Sequence, residues 1–396
     1  MRAIVTVLAL WAAGLGAAAQ FGKMSVAYPV LTFVYSGASE NGYPAQSVVE
    51  IGLILSVVGM VGLILGTTAG LWVTRLGPRR VVVLALVLGG ALSLVQTTFP
   101  PYPLMMLSRV LEGLSHLAIV VVGPTAIAGQ AGARWQGAAM TLWSSFFGVA
   151  YAVLFAFGPD LVLEQGAGVL FQWHALWMLG CAGILWLLLP RDVPITVVEG
   201  EGSLWRDHRM IYASPWIAAP AMGFFCYTFL YVAVLTLLPP EVPLAQRALA
   251  ATGMPLISIA VSLTLGVLLL GRMPAVRLVQ WGYLAAMPGF VLLALVWGQG
   301  PGMLVAGLWL SAALGIVQGA SFAAIPQLNQ TPGTRAQASG AIAQLGNLGT
   351  TTGTPVPAAV MFGAGPWGLA LVALAACALG ICLHAVQARR RQIRSI

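Results

Sequence analysis

The amino-acid sequence predicts an all-α membrane protein: twelve transmembrane helices in two pseudo-symmetric six-helix bundles. Three observations carry this. The chain is 59% hydrophobic and only 7% charged, against about 25% charged for soluble proteins. Apolar runs of about 20 residues, the length that crosses a bilayer as a helix, recur along nearly all of it. Its arginines fall on alternate loops. Arg2, Arg75, Arg79, Arg80, Arg134, Arg191, Arg206, Arg209, Arg272, Arg277, Arg335 and the tail arginines lie on one side, and only Arg247 lies on the other. Cytoplasmic loops carry the basic excess, so both termini and the middle of the chain are expected in the cytoplasm. The expected location is a cell membrane, multi-pass, of the bacterial inner-membrane kind.

The elements follow in order. Residues 4–35 read as one long first helix. Ala17-Ala18-Ala19 resembles a signal-cleavage site, but the apolar character continues past it. A polar turn containing Glu40 and Asn41 leads to a second span at 47–73 and a short basic loop to a third at 81–98. Prolines 100, 101 and 103 separate the third span from a fourth at 104–128. The fifth ends at Gly158-Pro159; residues 160–171 read as loop and 172–189 as the sixth span. The polar stretch 191–212, with Glu199 and Glu201, is a linker between a bundle at 1–190 and a bundle at 213–396. Spans seven to twelve read as 213–238, 249–271, 278–297, 303–326, 338–362 and 366–387, followed by the basic tail.

An internal repeat runs through the two halves. Glu112-Gly113-Leu114-Ser115 aligns with Gln318-Gly319-Ala320-Ser321, Arg134 with Arg335, and Gly148 with Gly349. Transporters built from repeats place their substrate near the membrane midplane. The net charge of +8 follows the loops and forms no basic stripe with interleaved aromatics, so nucleic acid is not an expected partner. The four cysteines lie in apolar segments without a C-x-x-C pair and read as buried small hydrophobes. No metal-ligand cluster, nucleophile–histidine–acid set or phosphate loop appears, so neither an enzyme nor a cofactor is expected.

The fourth span carries Arg109, Glu112 and His116 at i, i+3 and i+7, on one helical face. Charges are costly in hydrocarbon, so this face should meet protein or a water-filled cavity. Lys23, the single lysine, lies mid-way along the first span near the depth of Glu112. Functionally it is a cation for an anionic substrate; structurally it is a neutralising partner for Glu112. Gln20 shares its face. Glu112 with His116 is a candidate proton-carrying pair, and Arg109, nearer the outer surface, anchors Glu112. Tyr227 and Tyr231 (i, i+4), Gln318 and Asn347 are further substrate-contact candidates. Gly346, Gly349 and Gly353 make the eleventh span able to bend or pack closely. His174 and His384, near helix ends, attract no role. Trp72, Trp135, Trp216 and Trp367 read as interfacial anchors.

The loop Gly70-Leu71-Trp72-Val73-Thr74-Arg75-Leu76-Gly77-Pro78-Arg79-Arg80 resembles the G-x-x-x-D-R-x-G-R-R/K signature of the major facilitator superfamily. Thr74 stands where that pattern has Asp, and Pro78 where it has the first Arg. Arg109-Val110-Leu111-Glu112-Gly113 resembles the same family's R-x-x-Q/E-G signature, and residues 112–124 faintly resemble its cyanate- and nitroimidazole-permease branch. The resemblance implies conformational gating at Gly70, Arg75, Gly77, Arg79 and Arg80, and proton coupling at Arg109. Together these readings point to a monomeric secondary transporter that moves a small organic anion with protons by alternating access. The alternative is a proton-coupled exporter of amphipathic or cationic drugs, with Glu112 facing the substrate.

Overall fold

The computed structural model describes residues 2–37, 42–192 and 204–394. Glu40, Asn41, Glu199 and Glu201, and with them the middle of the expected linker, lie outside the described residues. Among those described there are helices and no strands. In order they are α1 (Arg2–Val26), α2 (Tyr28–Tyr35), α3 (Val48–Leu76), α4 (Pro78–Gln96), α5 (Tyr102–Gln130), α6 (Gln136–Ser144), α7 (Phe146–Gln165) and α8 (Ala167–Leu188). Then come α9 (Leu204–Ala213), α10 (Ala218–Leu237), α11 (Leu244–Val261), α12 (Val267–Leu270), α13 (Ala275–Leu295), α14 (Gly300–Leu328), α15 (Pro332–Gly353) and α16 (Pro355–Arg394).

Eleven described stretches are long and apolar enough to span a membrane, and the last, Pro332–Ile393, is 62 residues long. That is far more than one span needs. The stretch turns at Thr354 and breaks at Gly365, whose φ of 63° and ψ of −160° suit glycine alone. It therefore supplies the last two spans.

Several boundaries differ from those read in the sequence. The first span breaks after Val26, where Pro29 lacks the N–H that would continue the ladder. Gly158-Pro159 does not end the fifth span: Pro159 sits inside α7, which runs on to Gln165, and α8 starts at Ala167 rather than residue 172. A membrane helix tolerates proline because neighbouring helices restore its packing; here Gly158 lies against Val26. The tail arginines continue α16 rather than trailing from it. Cys382 is exposed, unlike the other three cysteines.

The chain forms two compact units. Unit 1 comprises residues 1–131 and 146–199; unit 2 comprises 132–145 and 200–396. The fifth span is divided between them: α7 packs on α1 and α8, whereas α6 packs on α14. Within each unit the packing pattern is the same. In unit 1, α3 packs on α5, α4 on α5 and α8, and α1 on α5, α7 and α8. In unit 2, α11 packs on α14, α13 on α14 and α16, and α10 on α14, α15 and α16. These are the same span pairs shifted by six. The repeated glycines take part: Gly113 meets Val61 of α3, and Gly319 meets Ser262 beside α11. A five-residue π-helical segment, 262–266, widens the backbone between α11 and α12 at that point.

Candidate functional site

Four helices of unit 1 bring the predicted charged residues together. Lys23 Nζ of α1 forms an ion pair with Glu112 Oε1 of α5 at 2.7 Å. The other carboxylate oxygen, Oε2, receives Arg109 Nη1 and Gln96 Nε2, the latter at 2.9 Å. Lys23 Nζ also lies 2.9 Å from Ser93 Oγ of α4 and 3.1 Å from His174 Nδ1 of α8. An ammonium has three N–H donors; Ser93 and His174 are hydrogen-bond partners, and Glu112 supplies the opposite charge. Lys23, Arg109, Glu112, Gln20 and Gln96 are each 0% exposed.

The proton positions follow from the partners. Ser93 Oγ donates to Phe171 O at 2.8 Å, so it can accept from Lys23. His174 Nε2 lies 3.0 Å from Gly16 O, and a carbonyl only accepts. The ring therefore carries its proton on Nε2 and presents a lone pair at Nδ1 to Lys23. His116 Nδ1 meets Ala17 O at 3.0 Å and so carries its proton there. Its ring stands edge-on to Phe21, with centroids 4.9 Å apart.

Arg109 is held from three sides. Its Nε donates to Ile54 O at 2.8 Å and its Nη1 to Gln20 O at 2.9 Å, besides Glu112. Its Nη2 has no hydrogen-bond partner among the described residues. Gln20 Nε2 reaches Ser115 Oγ at 3.0 Å across Gly89, where a Cβ would come within 2.7 Å of the amide and 2.6 Å of the hydroxyl. Gly89 is thus the gap through which the α1–α5 contact is made.

Several expectations need correcting. Arg109 is fully buried, one turn closer to the start of α5 than Glu112. Of the two surroundings expected for the charged face, Lys23 and Glu112 have protein: they are walled in by α1, α4, α5 and α8. Glu112 and His116 share a helix face, yet no hydrogen bond joins them among the described residues, because His116 is committed to Ala17. His174, passed over as a helix-end residue, is buried and is the histidine that touches Lys23. Its chain distance from Lys23, 151 residues, hides the pairing. Ser93 and Gln96, the α4 members, are silent in the sequence, because a serine or glutamine in an apolar run gives no signal of its partner.

The remaining candidates lie in unit 2. Tyr227 is buried and stacked on Tyr231, with centroids 5.3 Å apart. Gln318 gives its amide to Ser144 O of α6 at 2.8 Å. Asn347 gives its amide to Ala343 O of its own helix at 2.7 Å. Gly346, Gly349 and Gly353 seat Phe224, Thr228 and Phe229 of α10, so close packing accounts for them. His384 is buried against Gly223 and has no hydrogen-bond partner among the described residues.

At the signature loop, Gly77 has φ 89° and joins α3 to α4. Asp192, beyond α8, accepts from the backbone N–H groups of Arg79 at 3.0 Å and Arg80 at 2.9 Å. Arg79 in turn donates to Trp186 O at 2.6 Å and lies over that indole. Asp192 thus places a carboxylate at the positive end of α4.

The sequence profile described as Major Facilitator Superfamily matches residues 6–354. The chain belongs to this superfamily. No curated protein matches the chain, but solved structures of the superfamily share its fold. The human organic anion transporter MFSD10 (TETRAN) is 17% identical with a TM-score of 0.73, over 96% of this chain and 98% of that one. The transporter FucP in its outward conformation is 16% identical with a TM-score of 0.75, over 98% and 99%. The proton:xylose symporter XylE, bound to 6-bromo-6-deoxy-D-glucose, is 13% identical with a TM-score of 0.78, over 98% and 95%. The superfamily protein is accordingly a multi-pass membrane transporter of small molecules and not an enzyme.

Proposed function

We propose that this superfamily member is a secondary transporter that moves a small organic anion together with protons by alternating access, from an inner membrane with both termini cytoplasmic. The observation that supports this best is the charge balance of the sealed cluster. Lys23 and Arg109 are two cations around the single carboxylate of Glu112, so an uncompensated positive charge sits in the apolar core of unit 1. Such a charge is costly to keep and is the wrong sign for a cationic drug, which argues against the exporter alternative. That MFSD10 is described as an organic anion transporter agrees with the reading.

Glu112 holds the place of an anion. A substrate carboxylate that takes over Arg109 or Lys23 leaves Glu112 short of a cation, and Glu112 then gains a proton. Conversely, protonating Glu112 raises the charge of the site and favours the anion. By linkage the two effects are equal in binding free energy. The half-buried rings of Phe21, Phe147 and Tyr151 form a continuous row beside His116, with successive centroids 5.8 and 5.0 Å apart. Tyr151 is within electrostatic reach of Arg109. This row offers the apolar body of the substrate a surface next to the orphaned Arg109 Nη2.

The test is uptake by proteoliposomes of purified protein, with an inward proton gradient and a panel of labelled small organic acids and organic cations. At least one acid should accumulate, and dissipating the gradient should abolish accumulation. Accumulation of cations alone would overturn the proposal.

A further inference from the structure

The charge of the molecule is divided unevenly. Unit 1 contains seven basic and seven acidic residues, and unit 2 contains eleven arginines and three acidic residues. The whole formal net charge of +8 therefore belongs to unit 2. Two of its arginines, Arg272 and Arg277, line a groove of about 620 Å³ where α12 gives way to α13. Neither has a side-chain hydrogen bond or ion pair among the described residues. The rest of the groove is apolar or amphipathic: Met273, Gln280, Trp281, Leu284 and Ile381.

The order of these residues along α13 is informative. Arg277, Trp281 and Leu284 stand at i, i+4 and i+7, on one stripe of the helix. All three are exposed, Trp281 by 57% and Leu284 by 46%. The stripe starts with a cation at the helix end, continues with an indole and finishes with an aliphatic side chain towards the middle of the span. This is the polarity sequence of a lipid: charged headgroup, interface, hydrocarbon. Gln280 is turned aside to Ile381 O at 3.2 Å, which fixes the groove wall contributed by α16.

We infer that this groove binds an anionic phospholipid, with its phosphate between Arg272 and Arg277 and an acyl chain along Trp281 and Leu284. A free phosphate ion would use the two guanidinium groups but not the apolar stripe. A zwitterionic lipid would use the stripe but gain less from two uncompensated arginines. The site is independent of the anion-transport reading, since it lies in unit 2 and faces outward from the helices.

The experiment is native mass spectrometry of the purified full-length protein in neutral detergent, titrated with phosphatidylglycerol or with phosphatidylcholine of the same chains. Phosphatidylglycerol should be retained preferentially. Arg272→Gln combined with Arg277→Gln should weaken it roughly thirtyfold, at one basic residue's surface contribution each, with phosphatidylcholine unaffected. Arg206→Gln with Arg209→Gln removes the same charge from α9 and should leave binding intact. Equal loss in both double variants would reduce the effect to bulk charge and overturn the inference, as would displacement by millimolar inorganic phosphate. A brominated phosphatidylglycerol should quench the wild-type protein more than Trp281→Phe, a variant at an exposed position that folding tolerates. Identical quenching would remove the lipid from the groove.

Discussion

At the scale of single residues, Lys23 and Glu112 separate function from mere neutralisation. Removing the shared carboxylate leaves two buried cations uncompensated, at about 3–5 kcal/mol, whereas removing Lys23 leaves the Arg109–Glu112 pair balanced. Glu112→Gln should therefore lower thermal stability much more than Lys23→Met, and each should stop substrate uptake. The double variant leaves Arg109 as a lone buried cation and should stay destabilised, as read by a melting curve in detergent. If Lys23→Met keeps wild-type uptake, the pair is structural and the proposed coupling role is lost. His174 gives a second test. His174→Leu deletes the acceptor of one Lys23 N–H and the donor to Gly16 O. A loss of about 1–3 kcal/mol is expected from unsatisfied buried groups, together with impaired uptake. His116→Leu strands only Ala17 O, so uptake should suffer less; the reverse order would restore His116 as the coupling histidine.

At the scale of elements, the joint between α3 and α4 depends on a backbone shape and a carboxylate acting together. Gly77 is at φ 89°, and an added Cβ would run into the Asp192 carboxyl. Gly77→Ala should therefore cost more than Asp192→Asn, which removes only the charge at the start of α4. About 1 kcal/mol is expected for Asp192→Asn from the dipole interaction and weaker N–H acceptance, and about 2–3 for Gly77→Ala once backbone strain is added. Chemical denaturation of the two variants side by side checks the order. If Asp192→Asn is neutral, the carboxylate does not hold the joint. Gly365 is the corresponding hinge between the last two spans, and Gly365→Ala should destabilise by about 1–3 kcal/mol for the same conformational reason.

At the scale of the whole molecule, two units with the same helix pairings differ in what their cores contain. Among the described residues, the buried ion pairs lie in unit 1. Gln318, the repeat counterpart of Glu112, carries no charge and is bonded to Ser144 O. Proton coupling is thus expected to reside in unit 1. Gln318→Ala should leave the pH dependence of uptake unchanged, whereas Glu112→Gln should flatten it. Uptake measured across a range of external pH distinguishes them, and an equal flattening by both would place the coupling elsewhere.

The all-helical class and the succession of spans could be read from the sequence because a bilayer admits few solutions. Each span must be about 20 apolar residues, helical, and closed in its backbone hydrogen bonds. These are local demands, written in composition and period. The pairing of Arg109 with Glu112 was legible for the same reason, since three residues of helix fix their separation. The companions of Lys23 were not. Ser93 and His174 reach it from other helices, as Gln96 reaches Glu112, and nothing in an apolar run tells which face a neighbouring span will turn inward. Only packing decided that Lys23 is sealed among α1, α4, α5 and α8, that Asp192 sits at the start of α4, and that His174 rather than His116 meets the lysine. Contacts between residues 70 to 151 positions apart are set by how helices interlock, and that information lies in the assembled core rather than in any stretch of the chain.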